Sequence, residues 1–224
     1  MIKSPLSACL TALALAAGVS GLSAAVPALG APATATPPAA ESVVPDPGAK
    51  QIGAFYAVLL DSMKHAKTVD VNGRYKMLAP VVDATFDFST MTKMTVGPDW
   101  DTMSDADRKA LTAAFRRMTI ANYASNFDGY SGENFVVDPK VQERAGDKIV
   151  SSQMTAPGKA PIPFVYRMTK TPLGWKVIDV FLNGYVSEVA TRRADFASTL
   201  KAGGASALTA KLNALTDKTL APGN

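Results

Sequence analysis

The stretch "GWKVIDVFLNGYVSEVATRRADF", residues 174–196, decides the fold. Its first nine residues are rich in β-branched and aromatic side chains and predict a strand. Simple alternation points Trp175, Val177 and Phe181 one way, with Asp179 among them. It points Ile178, Val180 and Leu182 the other way, with Lys176 at the start. A strand with one face in water alternates apolar and polar residues, whereas here both faces are mostly apolar. After Asn183-Gly184 the period becomes helical: Val186, Val189, Ala190, Arg193, Phe196, Ala197 and Leu200 fall on one stripe. Gly203-Gly204 breaks that helix, and "ASALTAKLNALT" (205–216) predicts a short last one.

Toward the N-terminus lie three further β-rich runs: "IPFVYRMTK" (162–170), "DKIVSSQMT" (147–155) and "NFVVDPKV" (134–141). Turn residues separate them at Gly146-Asp147, Pro157-Gly158 and Pro172 to Gly174. Consecutive strands joined by short turns pair antiparallel. Before them the period is helical. "SDADRKALTAAFRRMTIANYASNF" (104–127) opens on Ser104 with Asp107 three residues on, a capping box, and lines one face with Leu111, Ala114, Phe115 and Met118. "AKQIGAFYAVLLDSMKHA" (49–66) places Ile52, Phe55, Tyr56, Leu59, Leu60 and Met63 at helical spacing. Between these, one helix starts near Arg74 and is kinked or broken at Pro80, and a short one covers Ser89–Met94, ended by Gly97-Pro98. Helices, then strands, then helices make an α+β fold: a curved antiparallel sheet packed against several helices, with an apolar cavity between them.

Composition is that of a globular chain: 224 residues, 47% hydrophobic and 19% charged. The net charge of +4 is spread out, with no run of Lys or Arg to mark a nucleic-acid surface. The N-terminal "MIKSPLSACLTALALAAGVSGLSAAVPALGA" has one charge at Lys3, an apolar small-residue run, and Ser23 and Ala25 before Val26. This pattern predicts a cleaved secretory signal, residues 1–25, and export to a bacterial periplasm. "LSAC" (6–9) has too few preceding residues for a lipoprotein signal. Cleavage removes Cys9, the sole cysteine, so the mature chain has no disulfide. Residues 26–48, rich in Pro, Ala and Thr, read as a disordered linker, 49–216 as the domain and 217–224 as a tail.

Catalytic signatures are missing. The one histidine, His65, sits between Lys64 and Lys67 and reads as a surface residue. With one histidine and no mature cysteine the common zinc sets cannot form, and no nucleophile elbow or phosphate-binding loop is present. Asp87, Asp99 and Asp101 read as turn and capping residues. Asp179, mid-strand among apolar neighbours, needs a partner. Arg167 on the adjacent strand, Arg192 and Arg193 are the choices, in a register-fixing ion pair or a direct ligand contact. Three apolar helix faces and a two-sided apolar sheet suit a cavity for an apolar ligand. Strand and helix phase assigns to its lining Leu59, Phe86, Met91, Phe115, Met118, Tyr123, Phe127, Phe164, Tyr166, Met168 and Val180, with Asp179, Arg192 and Arg193 as polar neighbours. A charge placed at Tyr166 or Val180 is then expected to abolish retention of such a ligand before it abolishes folding.

Residues 50–212 resemble the MlaC family of periplasmic phospholipid carriers. The landmarks are "R-Y-x-x-L-A-P" from Arg74, "F-D-F-x-x-M" from Phe86 to Met91, Gly97, Trp100, Phe115, Tyr123-Ala124, "PFVYRM", "GWKVIDV", Gly184 and Phe196. "GYVSEVATRRADF" carries an extra residue before Ser187 and Thr-Arg-Arg after it, which is similar to the hopanoid-associated HpnM branch. The resemblance implies a nuclear-transport-factor-like fold that holds lipid acyl chains between sheet and helices. It implies no catalysis and no cofactor, the lipid being cargo. It further implies a shuttle of phospholipid or hopanoid between an outer-membrane lipoprotein complex and an inner-membrane ABC transporter, with transient membrane contact and no nucleic acid. The alternative is a non-catalytic adaptor in hopanoid or outer-membrane assembly without a stable ligand.

Overall fold

The computed structural model describes residues 46–221. The expected signal segment, most of the expected linker and the last three residues lie outside them. Among the described residues the order is α1 (Pro47–Lys64), α2 (Val71–Thr85), α3 (Phe88–Val96), a 3-10 turn (Gly97–Thr102), α4 (Asp105–Asn126), β1 (Asn134–Val137), β2 (Gln142–Arg144), β3 (Asp147–Thr155), β4 (Ile162–Thr171), β5 (Gly174–Leu182), β6 (Val186–Ser187) and α5 (Glu188–Thr219). The fold is α+β, as expected from the change in hydrophobic period. No described helix is long and apolar enough to cross a membrane.

Each helix start is set by a side chain that satisfies an orphan backbone N–H. Asp70 accepts from the Gly73 N–H at 2.7 Å, Asp87 from that of Thr90 at 3.0 Å, and Ser104 from that of Asp107 at 3.1 Å. The Ser104 hydroxyl donates to the Asp107 carboxylate at 2.7 Å, so the two side chains pair directly, whereas the expected box has Asp107 accept from the Ser104 backbone N–H. Helix α2 is not broken at Pro80. Pro80 and Lys76, whose carbonyl loses its usual donor, are both exposed, so water can take that bond. Gly97 ends α3 with φ +74°, and a Cβ there would also come within 3.0 Å of the Arg193 guanidinium. Helix α5 is kinked at Gly203-Gly204, as expected, but continues to Thr219. The expected tail therefore includes helix: Asp217 pairs with Arg117 at 2.6 Å.

The sheet is antiparallel, in the order β1-β3-β4-β5-β6, with β2 pairing β3 beyond β1. Two short strands, β2 and β6, were not anticipated; Val186, expected in the helix that ends at Gly203-Gly204, belongs to β6. Asn183 (φ 52°) and Gly184 (φ 81°) turn the chain between β5 and β6, a conformation Asn and Gly tolerate. The register contains a β-bulge between Arg167 and Met168 of β4: Met168 faces Val177 while Arg167 faces Asp179, leaving Ile178 over. The extra residue flips the phase of β5. Because paired residues share a face, Trp175 and Val177 lie on the same side as Val180 and Leu182, and Asp179 and Phe181 lie on the other. The expected split of β5 into two regular faces is thus corrected at Ile178.

Helices pack on the side that carries Val150, Tyr166, Met168, Val177 and Val180, which are all buried. The opposite side of the sheet, with Val165, Phe181 and Val136, is only half covered, and Val136 is 44% exposed. The second apolar face inferred from β5 is therefore an artefact of counting across a bulge. At its α2 edge β5 is locked by a parallel bridge between Phe86 and Val177, with the Asp87 N–H donating to Val177 at 2.9 Å. Lys176 donates to the last carbonyls of α2, those of Asp83 and Ala84.

Asp46, expected in the linker, starts the fold. It accepts from the Gly48 N–H at 2.7 Å and pairs with Lys148 on β3, whose side chain is 7% exposed and whose ammonium lies 4.9 Å from the Trp175 ring centre. Burial opposes ionisation of Asp46, but hydrogen bonds from Lys148 and Gly48 outweigh it and hold the carboxyl below its ordinary range. Asp46→Ala removes the cap and strips Lys148 of its closest partner, a loss of about 2 kcal/mol. For a domain of this size that lowers Tm by roughly 4–8 °C. A depressed carboxylate stabilises above its unfolded pKa and loses that contribution as pH falls through the folded one. The difference between wild type and variant in thermal melts therefore shrinks below about pH 4.

Candidate functional site

The inner face of the sheet is unevenly closed. At one end Val150, Met168 and Val177 lie at 0% exposure. At the other, large apolar side chains on the same face stay half-buried: Phe135 on β1, Met154 on β3, Ile162 on β4 and Leu182 on β5. The last turns of α4 bring Tyr123 and Phe127, also half-buried, toward them. Phe127 stacks on Tyr123 at 5.9 Å and meets Phe135 at 6.2 Å, and Phe135 stacks on Tyr56 of α1 at 4.3 Å. Phe55 and Phe86 stand behind Tyr123 at 5.2 and 6.0 Å. This open end of the sheet–helix layer is the candidate site, because apolar side chains grouped at one partly open spot mark a binding surface more often than chance exposure does.

Its polar groups are few. The Tyr56 hydroxyl bonds to Ser152 at 2.7 Å and to Tyr166 at 2.8 Å, and the Ser152 hydroxyl donates to the Phe164 carbonyl at 3.3 Å. Burial pushes the Tyr56 phenol up to about 12 and that of Tyr166 well above the ordinary value, so both stay neutral. Burial also raises Tyr123, with the nearby Tyr56 phenol and Glu188 carboxylate adding to the effect. Glu188, the first residue of α5, is half-buried; burial raises its carboxyl, the Arg192 guanidinium 3.3 Å away opposes this, and Asp179 and Asp195 add to it. Among the described residues no group of three or more His, Cys, Asp or Glu is arranged to hold a metal ion.

The residues expected to line a cavity separate into groups. Tyr123 and Phe127 stand at the open end, with Phe164 beside them at 8% exposure. Phe86, Tyr166 and Val180 pack deeper, and Leu59 and Met168 are fully enclosed. Met91, Phe115 and Met118 lie in the helical layer, where Phe115 contacts Phe88 and Phe196 at 6.2 and 6.1 Å. Phe135, Met154, Ile162 and Leu182 were not singled out from sequence. Each stands at a strand end beside a turn, where periodicity is too short to give a face.

Asp179 has none of the three expected arginines as its hydrogen-bonding partner. It accepts from the Val180 N–H at 2.8 Å, the Ser187 hydroxyl at 2.6 Å and the Val189 N–H at 3.1 Å, tying β5 to the start of α5. Arg167 pairs with Asp147 at 2.6 Å, Arg192 with Glu188 and Asp195, and Arg193 lies over Gly97 at the C-terminus of α3. His65 is exposed and bonds to the Asp61 carbonyl at 2.9 Å, as expected of a surface residue. A separate cleft of about 610 Å³, lined by Ser89, Trp100, Arg108, Lys109, Thr112, Ala113 and Arg116, opens where α3, the 3-10 turn and α4 meet. Two of its cations are already paired, Arg108 with Asp105 and Arg116 with Asp83.

Comparison with known proteins places this geometry. The sequence matches the MlaC protein family over residues 56–214, and the chain belongs to that family. No curated protein matches it. Among solved structures it is similar to a phospholipid-binding protein from Ralstonia solanacearum, determined in complex with a phospholipid. The TM-score is 0.67 at 19% identity, covering 78% of this chain and 99% of the other, which is a likeness of fold.

Proposed function

We propose that this member of the MlaC family binds a membrane lipid between its sheet and helices and carries it across the bacterial periplasm as a non-catalytic shuttle. Residues 1–25 direct its export. Its partners are an inner-membrane ABC transporter complex and an outer-membrane lipoprotein complex, and the cargo is a phospholipid, with a hopanoid as the alternative. The observation that carries this reading is the cluster of half-buried Tyr123, Phe127, Phe135, Ile162 and Leu182 at one end of the inner face. Family membership and a fold shared with a protein solved with phospholipid support it.

The energetics suit a carrier. Burying acyl chains yields about 0.8 kcal/mol per CH₂ relative to water, but the cargo comes from a bilayer where its chains are already buried. The protein need only match the bilayer closely, and it can then both load and unload. Native mass spectrometry of the purified protein, with extraction of what is bound, tests this. A diacyl phospholipid is the expected result, and a hopanoid would move the cargo to the alternative. A folded protein that is empty and takes nothing from liposomes would replace the carrier with the adaptor.

A further inference from the structure

Three turns ring the open end of the inner face. Residues 128–133 join α4 to β1, 156–161 join β3 to β4, and 183–185 join β5 to β6. They form one rim: a Cβ on Gly132 would come within 3.0 Å of Pro157, and one on Gly184 within 3.8 Å of Pro163 at the start of β4. Val186 continues the rim opposite Leu182 in the register. Apolar side chains stand out from it. Tyr130, Pro157, Pro161 and Val186 are exposed, and Tyr185 is 77% exposed. Backbone donors at the same turns point inward. The Ser131 N–H donates to the Glu133 carboxylate, that of Lys159 to the Ala156 carbonyl at 3.1 Å, and that of Tyr185 to the Leu182 carbonyl at 3.2 Å. Pro157 and Pro161 have none to offer. The exposed charges of these turns, Lys159 and Asp128, balance, and Lys64 of α1 lies 5.5 Å from the Tyr130 ring centre.

We propose that this rim is a bilayer-docking surface. Tyr130, Tyr185 and Val186 enter the headgroup layer and seat the open end on the membrane, so that acyl chains pass between bilayer and protein without crossing water. Tyrosine suits that layer, because its ring is buried while its hydroxyl stays among polar headgroups. The inward-turned N–H groups lower the cost of leaving water. Recognition of a protein segment commonly uses an exposed strand edge or a helix groove. The rim offers neither, being three turns around an opening, whereas a bilayer needs neither and continues the apolar content of the site. This inference rests on the lipid-carrier reading above.

The test mixes delipidated protein with protein-free vesicles of equimolar phosphatidylethanolamine and phosphatidylglycerol. It reads the protein that floats with the vesicles, the initial rate of lipid uptake and the final lipid content. Tyr185→Ser is expected to lower flotation and initial rate about ten-fold, the effect of withdrawing roughly half of an aromatic side chain's burial. Final lipid content stays at the wild-type level, because Tyr185 stands outside the inner face. Leu173→Ser is the control: Leu173 is 86% exposed on the β4–β5 turn, at the opposite end of the sheet, and its loss changes neither readout. Tyr185→Ser that floats and loads as wild type does would overturn the docking surface and leave the rim to a protein partner. Equal losses in the two variants would overturn it as well. Wild type that floats with vesicles but takes up no lipid would overturn the carrier reading and leave the docking surface standing. Wild type that does neither would overturn both.

Discussion

Leu182→Glu is expected to cost the protein most of its bound lipid while leaving it folded. Leu182 ends β5 on the inner face, opposite Phe164, and is half-buried. A carboxylate there keeps contact with water in the free protein, so folding tolerates it. With acyl chains seated against the inner face the same carboxylate is desolvated, at a cost of several kcal/mol. Each 1.4 kcal/mol is a factor of ten in affinity, so bound lipid after extraction falls at least about ten-fold. Tm falls by less than about 4 °C, the shift of roughly 1 kcal/mol in a domain of this size. Val165→Glu, half-buried on the opposite face, is the control and keeps its lipid. Wild-type lipid content in folded Leu182→Glu would place the cargo elsewhere. Tyr166 and Val180, the positions that sequence phase selects for a charge, are 2% and 5% exposed. A charge at either would act on folding first, which is why the informative substitution lies at the strand's end.

The second large effect is on stability. Asp179→Ala removes the acceptor for three donors at once: two backbone N–H groups and the Ser187 hydroxyl. The Ser187 oxygen in turn accepts from the Ala190 N–H at 3.0 Å, so the N-cap of α5 depends on Asp179 to hold it in place. Hydrogen bonds to a charged group contribute about 1.5–3 kcal/mol each, and an abandoned buried N–H costs about 1–3. Water can reach the Ser187 side, so a total of about 3 kcal/mol is expected, with Tm lower by roughly 6–12 °C. Asp179→Asn, which keeps one acceptor oxygen, loses about half as much. A Tm within 2 °C of wild type for Asp179→Ala in a calorimetric scan would show that α5 is held by its apolar contacts alone.

Much of the architecture was legible in the chain. Local signals wrote the helix starts: Ser104 with Asp107, and Asp87 ahead of Thr90. The positive φ of Gly97 and the break at Gly203-Gly204 needed only glycine's freedom of backbone. The four main strands announced themselves by β-branched runs between turns. The candidate site was legible in part. Tyr123 and Phe127 were found because α4 is long enough for its stripe to run past the core. Phe135, Met154, Ile162 and Leu182 were not found, because two or three residues at a strand end define no period.

What the sequence by itself determined is everything carried by short-range backbone preference: helix, then strand, then helix, the antiparallel pairing that short turns impose, and an apolar content too large for a one-sided sheet built by strict alternation. What only the tertiary structure decided is where alternation fails and who answers whom. Ile178 is an unremarkable strand residue, yet as the extra residue of a bulge it turns Val177 toward the helices and leaves Asp179 facing the start of α5. A bulge is a mismatch between two strands, and a buried carboxylate is answered by whichever donors packing brings near. Both depend on segments distant in the chain, so no window of sequence around either residue contains them.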